Sequence, residues 1–247
     1  MIRGLDLTHS KRDQIKGNFE PVAFDDELMY KFGAIEKRLL KKGEPDFTGG
    51  MKTTPKVTEG FEDVLDGKLL GQGLYDNHSG SARQLVFGLS LSSNPEIARI
   101  IDKSNPDTSR DIVQKLRSKR VLSGLKIIDL GCGSGSFALS AKSLGAEVYT
   151  ADVDELHKDR KARLDGHVRI NFNDKDAGSR LKAETGGEFD LVTENIIGAG
   201  RTRTLLIPRD EFRSTISRIA DVLLKRGGYL YGDEFGITTS DGPFRKI

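Results

Sequence analysis

The sequence predicts an α/β protein with a doubly wound, mostly parallel sheet and a largely helical N-terminal extension. In the C-terminal half, short apolar segments alternate with segments of helical periodicity, which is the pattern of repeated strand–helix–strand units. The first apolar segment, residues 125–130, runs into the alternating glycines of residues 131–135, and such glycines are typical of a tight strand-to-helix turn. We therefore divide the chain into an extension, residues 1–92, and an α/β domain, residues 93–247.

Five strands are predicted in the α/β domain. The first ends the apolar segment at residues 127–130, and its lack of polar alternation indicates a strand buried on both faces. The next four are predicted at residues 147–152, 167–172, 188–193 and 229–231.

Helices are predicted between these strands and before them. One follows the glycines at residues 137–144 and ends at Gly145, and another has its apolar residues at helical spacing and ends at Gly227-Gly228. Its apolar face is formed by Phe212, Ile216, Ile219, Ala220 and Leu223. Earlier in the chain we predict helices at residues 25–42, from Asn94-Pro95 onward, and at residues 107–122, with a loop at residues 43–60.

A carboxylate, Asp129, lies at the mouth of the first strand, two residues before the first glycine. The spacing Gly133-x-Gly135-x-x-Ala138 fits the loose dinucleotide fingerprint, which makes a nicotinamide-dependent oxidoreductase one alternative. A pyrophosphate would be repelled by Asp129, whereas a cationic nucleoside would be attracted. The carboxylate therefore favours a positively charged ligand.

The run Asp129-Leu130-Gly131-Cys132-Gly133-Ser134-Gly135 resembles motif I of the class I S-adenosylmethionine-dependent methyltransferases. The resemblance implies a Rossmann-like fold and S-adenosylmethionine as the cofactor. It also implies that the cofactor contacts Asp129, Gly131, Cys132, Gly133 and Gly135, with Cys132 acting as a small buried side chain rather than as a nucleophile.

Two further acidic positions follow from the same resemblance. Asp152, at the end of the second strand, would hold both ribose hydroxyls, since a carboxylate accepts two hydrogen bonds at once. Taken alone, an aspartate there could equally be a helix cap. After the third strand, Asp174 would face the adenine amino group, with Asp176 as the alternative register.

The segment after the fourth strand, residues 193–198, lacks the Asn/Asp-Pro-Pro-Tyr/Phe motif of amino-directed nucleic-acid methyltransferases. Glu194 is the candidate for an acid that faces the acceptor, and Asp233 and Glu234 are weaker candidates. The sequence favours a methyltransferase acting on a small molecule, ahead of RNA or protein. The alternative is a noncatalytic S-adenosylmethionine-binding or scaffold protein.

A polar cluster in the extension is predicted either as a lid over the cofactor or as a solvated surface loop. Its candidate contact residues are Tyr75, Asn77, His78 and Arg83. At the other end of the chain, Asp241-Gly242 is predicted to turn into one short strand, residues 244–247, whereas the related fold adds two strands after the fifth. The N-terminal segment or a partner chain would then complete the sheet, or the sequence is truncated.

Composition limits the partners. The net charge is +2, and the basic stretches at residues 99–126 and 201–226 keep RNA as an alternative acceptor without indicating it. A single cysteine excludes an internal disulfide and a cysteine-rich zinc site, and no metal is predicted. With no long apolar run and a charged start, we expect a cytoplasmic protein without membrane contact.

Overall fold

The structure is a computed structural model, and it describes most of the α/β domain and three parts of the extension. The described residues are 17–22, 26–39, 78–102, 104, 106–107, 109–133, 135–194, 211–232 and 243–247.

Seven strands among the described residues form one sheet. They are β1 (Phe19–Pro21), β2 (Lys126–Leu130), β3 (Glu147–Asp152), β4 (Gly166–Arg169), β5 (Phe189–Glu194), β6 (Leu224–Gly232) and β7 (Phe244–Lys246). Their order across the sheet is β4-β3-β2-β5-β6-β7-β1. The first five are parallel, while β7 is antiparallel to both β6 and β1. The predicted mostly parallel, doubly wound sheet is confirmed.

The described helices lie on both faces of that sheet. They are α1 (Asp26–Leu39), α2 (His78–Leu91), α3 (Glu96–Ile100), α4 (Ser109–Ser118), α5 (Ser136–Ser143), α6 (Lys158–Lys161), α7 (Ala177–Thr185) and α8 (Phe212–Leu223). One buried cluster contains residues of all five helices from α1 through α5, together with Ile127 and Leu191 of the sheet. A second cluster contains residues of α7 and α8, together with Ile128 and Val192. Consecutive residues of β2 and β5 thus face opposite layers, as buried parallel strands require.

The two ends of the described chain complete the sheet together. Phe19 pairs with Lys246 and Pro21 with Phe244, so β1 forms the edge beyond β7. The sequence left open how the sheet is completed, and the structure shows that the N-terminal segment does so. The strand predicted at residues 244–247 is confirmed as β7, while the predicted turn at Asp241-Gly242 lies outside the described residues.

The extension shares its core with the α/β domain. Phe87 of α2 is 1% exposed and stacks on Tyr231 of β6, with ring centroids 4.9 Å apart. It also meets Phe32 of α1 edge-on at 5.8 Å. The predicted boundary after residue 92 falls between α2 and α3, and helices on both its sides contribute to one buried cluster.

The predicted boundary between the last helix and the strand after it is wrong. The helix expected to stop at Gly227-Gly228 ends at Leu223, and β6 begins at Leu224 and runs through both glycines. The register with β5 shifts between Phe189 and Leu191, and a Cβ at Gly228 would lie 2.7 Å from the Phe189 carbonyl oxygen. Gly228 therefore permits a close approach inside a strand, and neither glycine ends the helix.

Candidate functional site

The candidate site lies at the carboxyl ends of β2, β3 and β5. Strand order reverses between β2 and β5, because the chain proceeds from β2 outward to β4 and then from β5 outward to β6. Open α/β sheets bind ligands in the crevice at such a switch point. In register, Asp129 of β2 lies between Thr150 of β3 and Thr193 of β5.

Asp129 is a buried carboxylate. Its side chain is 1% exposed, and the Thr193 hydroxyl donates a hydrogen bond to its Oδ1 atom at 3.1 Å. Alternation along the strands places both residues on the sheet face covered by α2 and α5. A negative group held in a poorly solvated position is stabilised by a nearby cation, so Asp129 suits a positively charged ligand in the crevice.

The loop after β2 is held in a conformation that only glycine adopts easily. Gly131, Gly133 and Gly135 have φ values of +68°, +49° and +77°, and the Gly131 amide donates to the Ala151 carbonyl at 2.8 Å. A Cβ built on Gly133 meets no described atom within 4 Å, so the surface above this glycine is open. The loop thus offers a flat backbone surface on which a ligand can lie.

Asp152 ends β3 beside this loop. Its Oδ2 atom accepts the Gly133 amide at 2.9 Å, and its Oδ1 atom accepts the amides of Val153 at 2.7 Å and Asp154 at 3.3 Å. The predicted ribose acid and glycine loop are therefore in direct contact. The arrangement also opposes the dinucleotide alternative, because a carboxylate already occupies a loop amide that a diphosphate would need.

A histidine that sequence reasoning missed supports the segment after Asp152. His167 lies 2.9 Å from the Thr150 hydroxyl through Nδ1, and the Leu156 amide donates to its Nε2 at 3.2 Å. Leu156 in turn approaches Gly135, where a Cβ would lie 3.3 Å from its Cδ1. His167 was predicted only as part of a strand, and its polar position within that strand was the available signal.

Cys132 is buried, as predicted. Burial raises the pKa of its thiol well above the ordinary value, and the Asp129 and Asp152 carboxylates raise it further. The thiol is therefore neutral at physiological pH, which is consistent with a small packing side chain rather than a nucleophile.

The two adenine candidates lie in the turn before α7. The carboxylate of Asp174 is 3.3 Å from Arg180 Nη1 on α7, and its side chain is 41% exposed. Asp176 occupies the cap position of α7 without a side-chain capping bond. The turn thus presents both carboxylates beside the end of β4, and no described contact distinguishes between them as adenine ligands.

Glu194, the candidate acceptor-facing acid, is the last residue of β5 and is 1% exposed. Alternation along β5 sets its side chain on the face opposite to Thr193. Its backbone carbonyl accepts a hydrogen bond from Nε2 of Gln84 on α2 at 3.2 Å. Sequence reasoning missed Gln84, and the signal was a polar residue directly before the apolar run 85–87. Asp233 and Glu234 lie outside the described residues.

Of the lid candidates, only Arg83 has a described side chain. Its guanidinium lies 3.5 Å from the Glu36 carboxylate, so it links α2 to α1. His78 begins α2, and its side chain is not described, while Tyr75 and Asn77 lie outside the described residues.

A cavity of about 300 Å³ lies at the other end of the strands, near their amino ends. It is lined near the amino ends of β5 and β6 by Asp190 and Lys225, which form an ion pair. Because Asp129 and Asp152 lie at the carboxyl ends, this cavity is separate from the candidate cofactor site.

Among the helices that the structure describes, none combines the length and the apolar character that a membrane-spanning helix requires.

Comparisons with known proteins agree with this location. Residues 107–199, which include β2 to β5, match the family model for ribosomal protein L11 methyltransferase (PrmA). The ribosomal protein L11 methyltransferase of Thermotoga petrophila is 34% identical over 84 residues, covering 32% of this chain and 30% of that protein. The enzyme of the same name from Thermoanaerobacter pseudethanolicus is 39% identical over 72 residues, covering 29% and 23%. The chain thus spans about a third or less of the length of these relatives.

Among solved structures, a ribosomal protein L11 methylase from Lactobacillus delbrueckii subsp. bulgaricus is 22% identical, with a TM-score of 0.30 over 48% of this chain and 56% of that one. Magnesium protoporphyrin IX methyltransferase from Synechocystis, solved with bound S-adenosylmethionine, is 17% identical, with a TM-score of 0.33 over 85% and 77%. These superpositions are loose, so the assignment depends on the sequence matches and on the topology.

The matched region contains the glycine loop, Asp129 and Asp152. The sheet has the expected switch point, and the relatives are methyltransferases by name. These observations agree with a methyltransferase-type site at the carboxyl ends of β2, β3 and β5. Over residues 107–199, the chain is therefore similar to methyltransferases of the class I, Rossmann-like type.

Proposed function

We propose that this chain transfers a methyl group from S-adenosylmethionine to a protein acceptor. The observation that carries the methyl-transfer proposal is the contact between the Asp152 carboxylate and the glycine loop, beside buried Asp129. Together these groups present hydrogen-bond acceptors and negative charge at an open backbone surface. A sulfonium nucleoside with ribose hydroxyls and an ammonium group complements such a surface.

Within this proposal, the described residues share the work of binding. Asp152 accepts the ribose hydroxyls, the backbone at Gly133 lies against the nucleoside, and Asp129 stabilises the positive charge of the methionine part. The turn at Asp174 and Asp176 borders the adenine, with Asp174 as the favoured contact. Gly131, Cys132 and Gly135 shape the loop without needing to react.

The bound cofactor supplies a methyl group that is already activated by a sulfonium. The chain's own residues therefore need to align the acceptor and exclude water more than to activate the methyl group. A general base is required only where the acceptor arrives protonated. Glu194 stays the candidate for that role, although its burial means that an acceptor would have to reach the floor of the crevice.

The acceptor class rests on the relatives. The family model and the curated relatives are named for ribosomal protein L11, which supports a protein over the small molecule that the sequence favoured. The matched stretch contains the proposed cofactor contacts, and the match covers only 30% of the first relative. The acceptor therefore needs a direct test.

The test is transfer of radiolabel from methyl-labelled S-adenosylmethionine to purified ribosomal protein L11, to total RNA and to a small-metabolite extract in separate reactions. We expect label in the protein, and much less of it with the Asp152→Asn variant when S-adenosylmethionine is supplied near the dissociation constant of the wild type. Label in RNA or in small metabolites alone would overturn the protein acceptor. Binding of S-adenosylhomocysteine without transfer to any of the three would overturn the enzyme and favour the noncatalytic alternative.

A further inference from the structure

The most informative group outside the predicted site is the amide side chain of Gln84. Gln84 is 0% exposed, and it lies on α2, in the extension rather than in the matched region. Its Nε2 atom donates to the Glu194 carbonyl at 3.2 Å. Because a carbonyl oxygen can only accept, the atom of the Gln84 amide that faces it is the nitrogen. The opposite atom, Oε1, is buried and has no hydrogen-bond partner among the residues that the structure describes.

Gln84 and Asp129 are connected through consecutive residues of β5. The Thr193 hydroxyl bonds to Asp129, and the next residue, Glu194, accepts the Gln84 amide. Both side chains come from the face of the sheet covered by α2, and both are almost completely buried. They therefore border the same side of the crevice at the switch point.

The side chains of Gln84 and Asp129 together favour a ligand that donates hydrogen bonds. A carboxylate and an amide oxygen both accept hydrogen bonds, and an ammonium group has three donors and no acceptor. A buried acceptor without a donor destabilises the protein until a ligand supplies one. A ligand that brings an N–H group to this side of the crevice would remove that cost.

We propose that Gln84 Oε1 accepts a hydrogen bond from the α-ammonium group of the cofactor's methionine part, next to Asp129. This inference rests on the proposed function and assigns a cofactor contact to the N-terminal extension. Gln84 thereby links α2 to the bound cofactor while its Nε2 holds the end of β5. It binds the cofactor and takes no part in the chemical step.

The experiment compares two ligands on the wild type and on Gln84→Met, which keeps a side chain of similar length without the amide. S-Adenosylhomocysteine carries the ammonium, and 5′-methylthioadenosine lacks the amino-acid part. By isothermal titration calorimetry, we expect Gln84→Met to weaken S-adenosylhomocysteine binding by about ten- to hundredfold, as for one hydrogen bond to a charged group, and to leave 5′-methylthioadenosine binding unchanged.

Equal weakening of both ligands would mean that Gln84 acts only by supporting β5, and unchanged binding of both would mean no contact. Either result would overturn the inference while leaving the proposed function intact. If the wild type binds neither ligand, the proposed function fails as well.

A measurement on the wild type does not depend on whether the variant folds. The deamino analogue of S-adenosylhomocysteine, which lacks only the ammonium, should bind the wild type at least tenfold more weakly than the parent compound. Equal affinity for the two compounds would overturn the inference. Where Gln84→Met folds, it should reduce the difference between them.

Discussion

Replacing Asp152 with asparagine tests the polar contact between β3 and the glycine loop. In the wild type, both carboxylate oxygens accept backbone amides, from Gly133 at 2.9 Å and from Val153 at 2.7 Å. An asparagine keeps the shape but makes one of its two terminal atoms a donor. One of these amides then faces a donor, and the ribose loses an ionised acceptor.

The size of the expected loss of affinity follows from the loss of one hydrogen bond between the ribose and a charged group. One hydrogen bond to a charged group contributes about 1.5–3 kcal/mol, so the dissociation constant for S-adenosylhomocysteine should rise roughly 10- to 150-fold. Isothermal titration calorimetry on the wild type and on Asp152→Asn measures it directly. Because the Gly133 amide is exposed to water, the variant should keep its fold and show only a small change in melting temperature.

The matched control is Asp159→Asn, which removes the same formal charge from the exposed helix α6. The Asp159 side chain is 76% exposed and lies 3.5 Å from His157, so its loss should leave the affinity unchanged. If Asp152→Asn binds S-adenosylhomocysteine within twofold of the wild type, the ribose role of Asp152 is wrong. An equal loss in both variants would point to overall charge instead.

Three further predictions concern the loop, its cysteine and the extension. Gly133→Ala places a Cβ in the open space above the loop at a φ of +49°, so it should cost about 1–2 kcal/mol of stability and weaken S-adenosylhomocysteine binding at least tenfold. If calorimetry shows unchanged binding, the open surface above Gly133 is not the nucleoside site. The raised pKa of Cys132 keeps its thiol protonated, so alkylation by iodoacetamide at pH 8 should be far slower than that of free cysteine and should accelerate only well above pH 9; a rate equal to that of free cysteine would refute this. Phe87→Ala should lower the free energy of unfolding by about 3–5 kcal/mol in a single denaturant transition, because this ring joins α2 to β6; a loss below 1 kcal/mol would show that α2 is not part of the cooperative core.

The sequence allowed the central strands to be predicted because their signal is local. Strand β3 was predicted with its observed bounds, β2 begins one residue earlier than predicted, and β5 is displaced by one residue at both ends. Strands buried on both faces need continuous apolar runs, and the polar residues at their carboxyl ends are exceptions that stand out. Asp129 and Asp152 were recognisable for that reason.

The missed elements depend on long-range contacts. Strand β1 has three residues, and its pairing of Phe19 with Lys246 joins segments that are far apart in the sequence. Gln84 likewise acquires its position only when α2 packs over the end of β5. At Gly228, a glycine that suggests a stop in the sequence instead permits contact with the Phe189 carbonyl.

The central claim is that the crevice between β2 and β5 binds a nucleoside that carries an ammonium group rather than a diphosphate. Thermal unfolding with S-adenosylhomocysteine at about 100 times its dissociation constant, and with NAD at the same concentration, tests it most directly. A ligand of the native state at that concentration adds about 2.7 kcal/mol, which for a chain of this size raises the melting temperature by roughly 5–11 °C. We expect that rise with S-adenosylhomocysteine and none with NAD. A rise with NAD and none with S-adenosylhomocysteine would contradict the account.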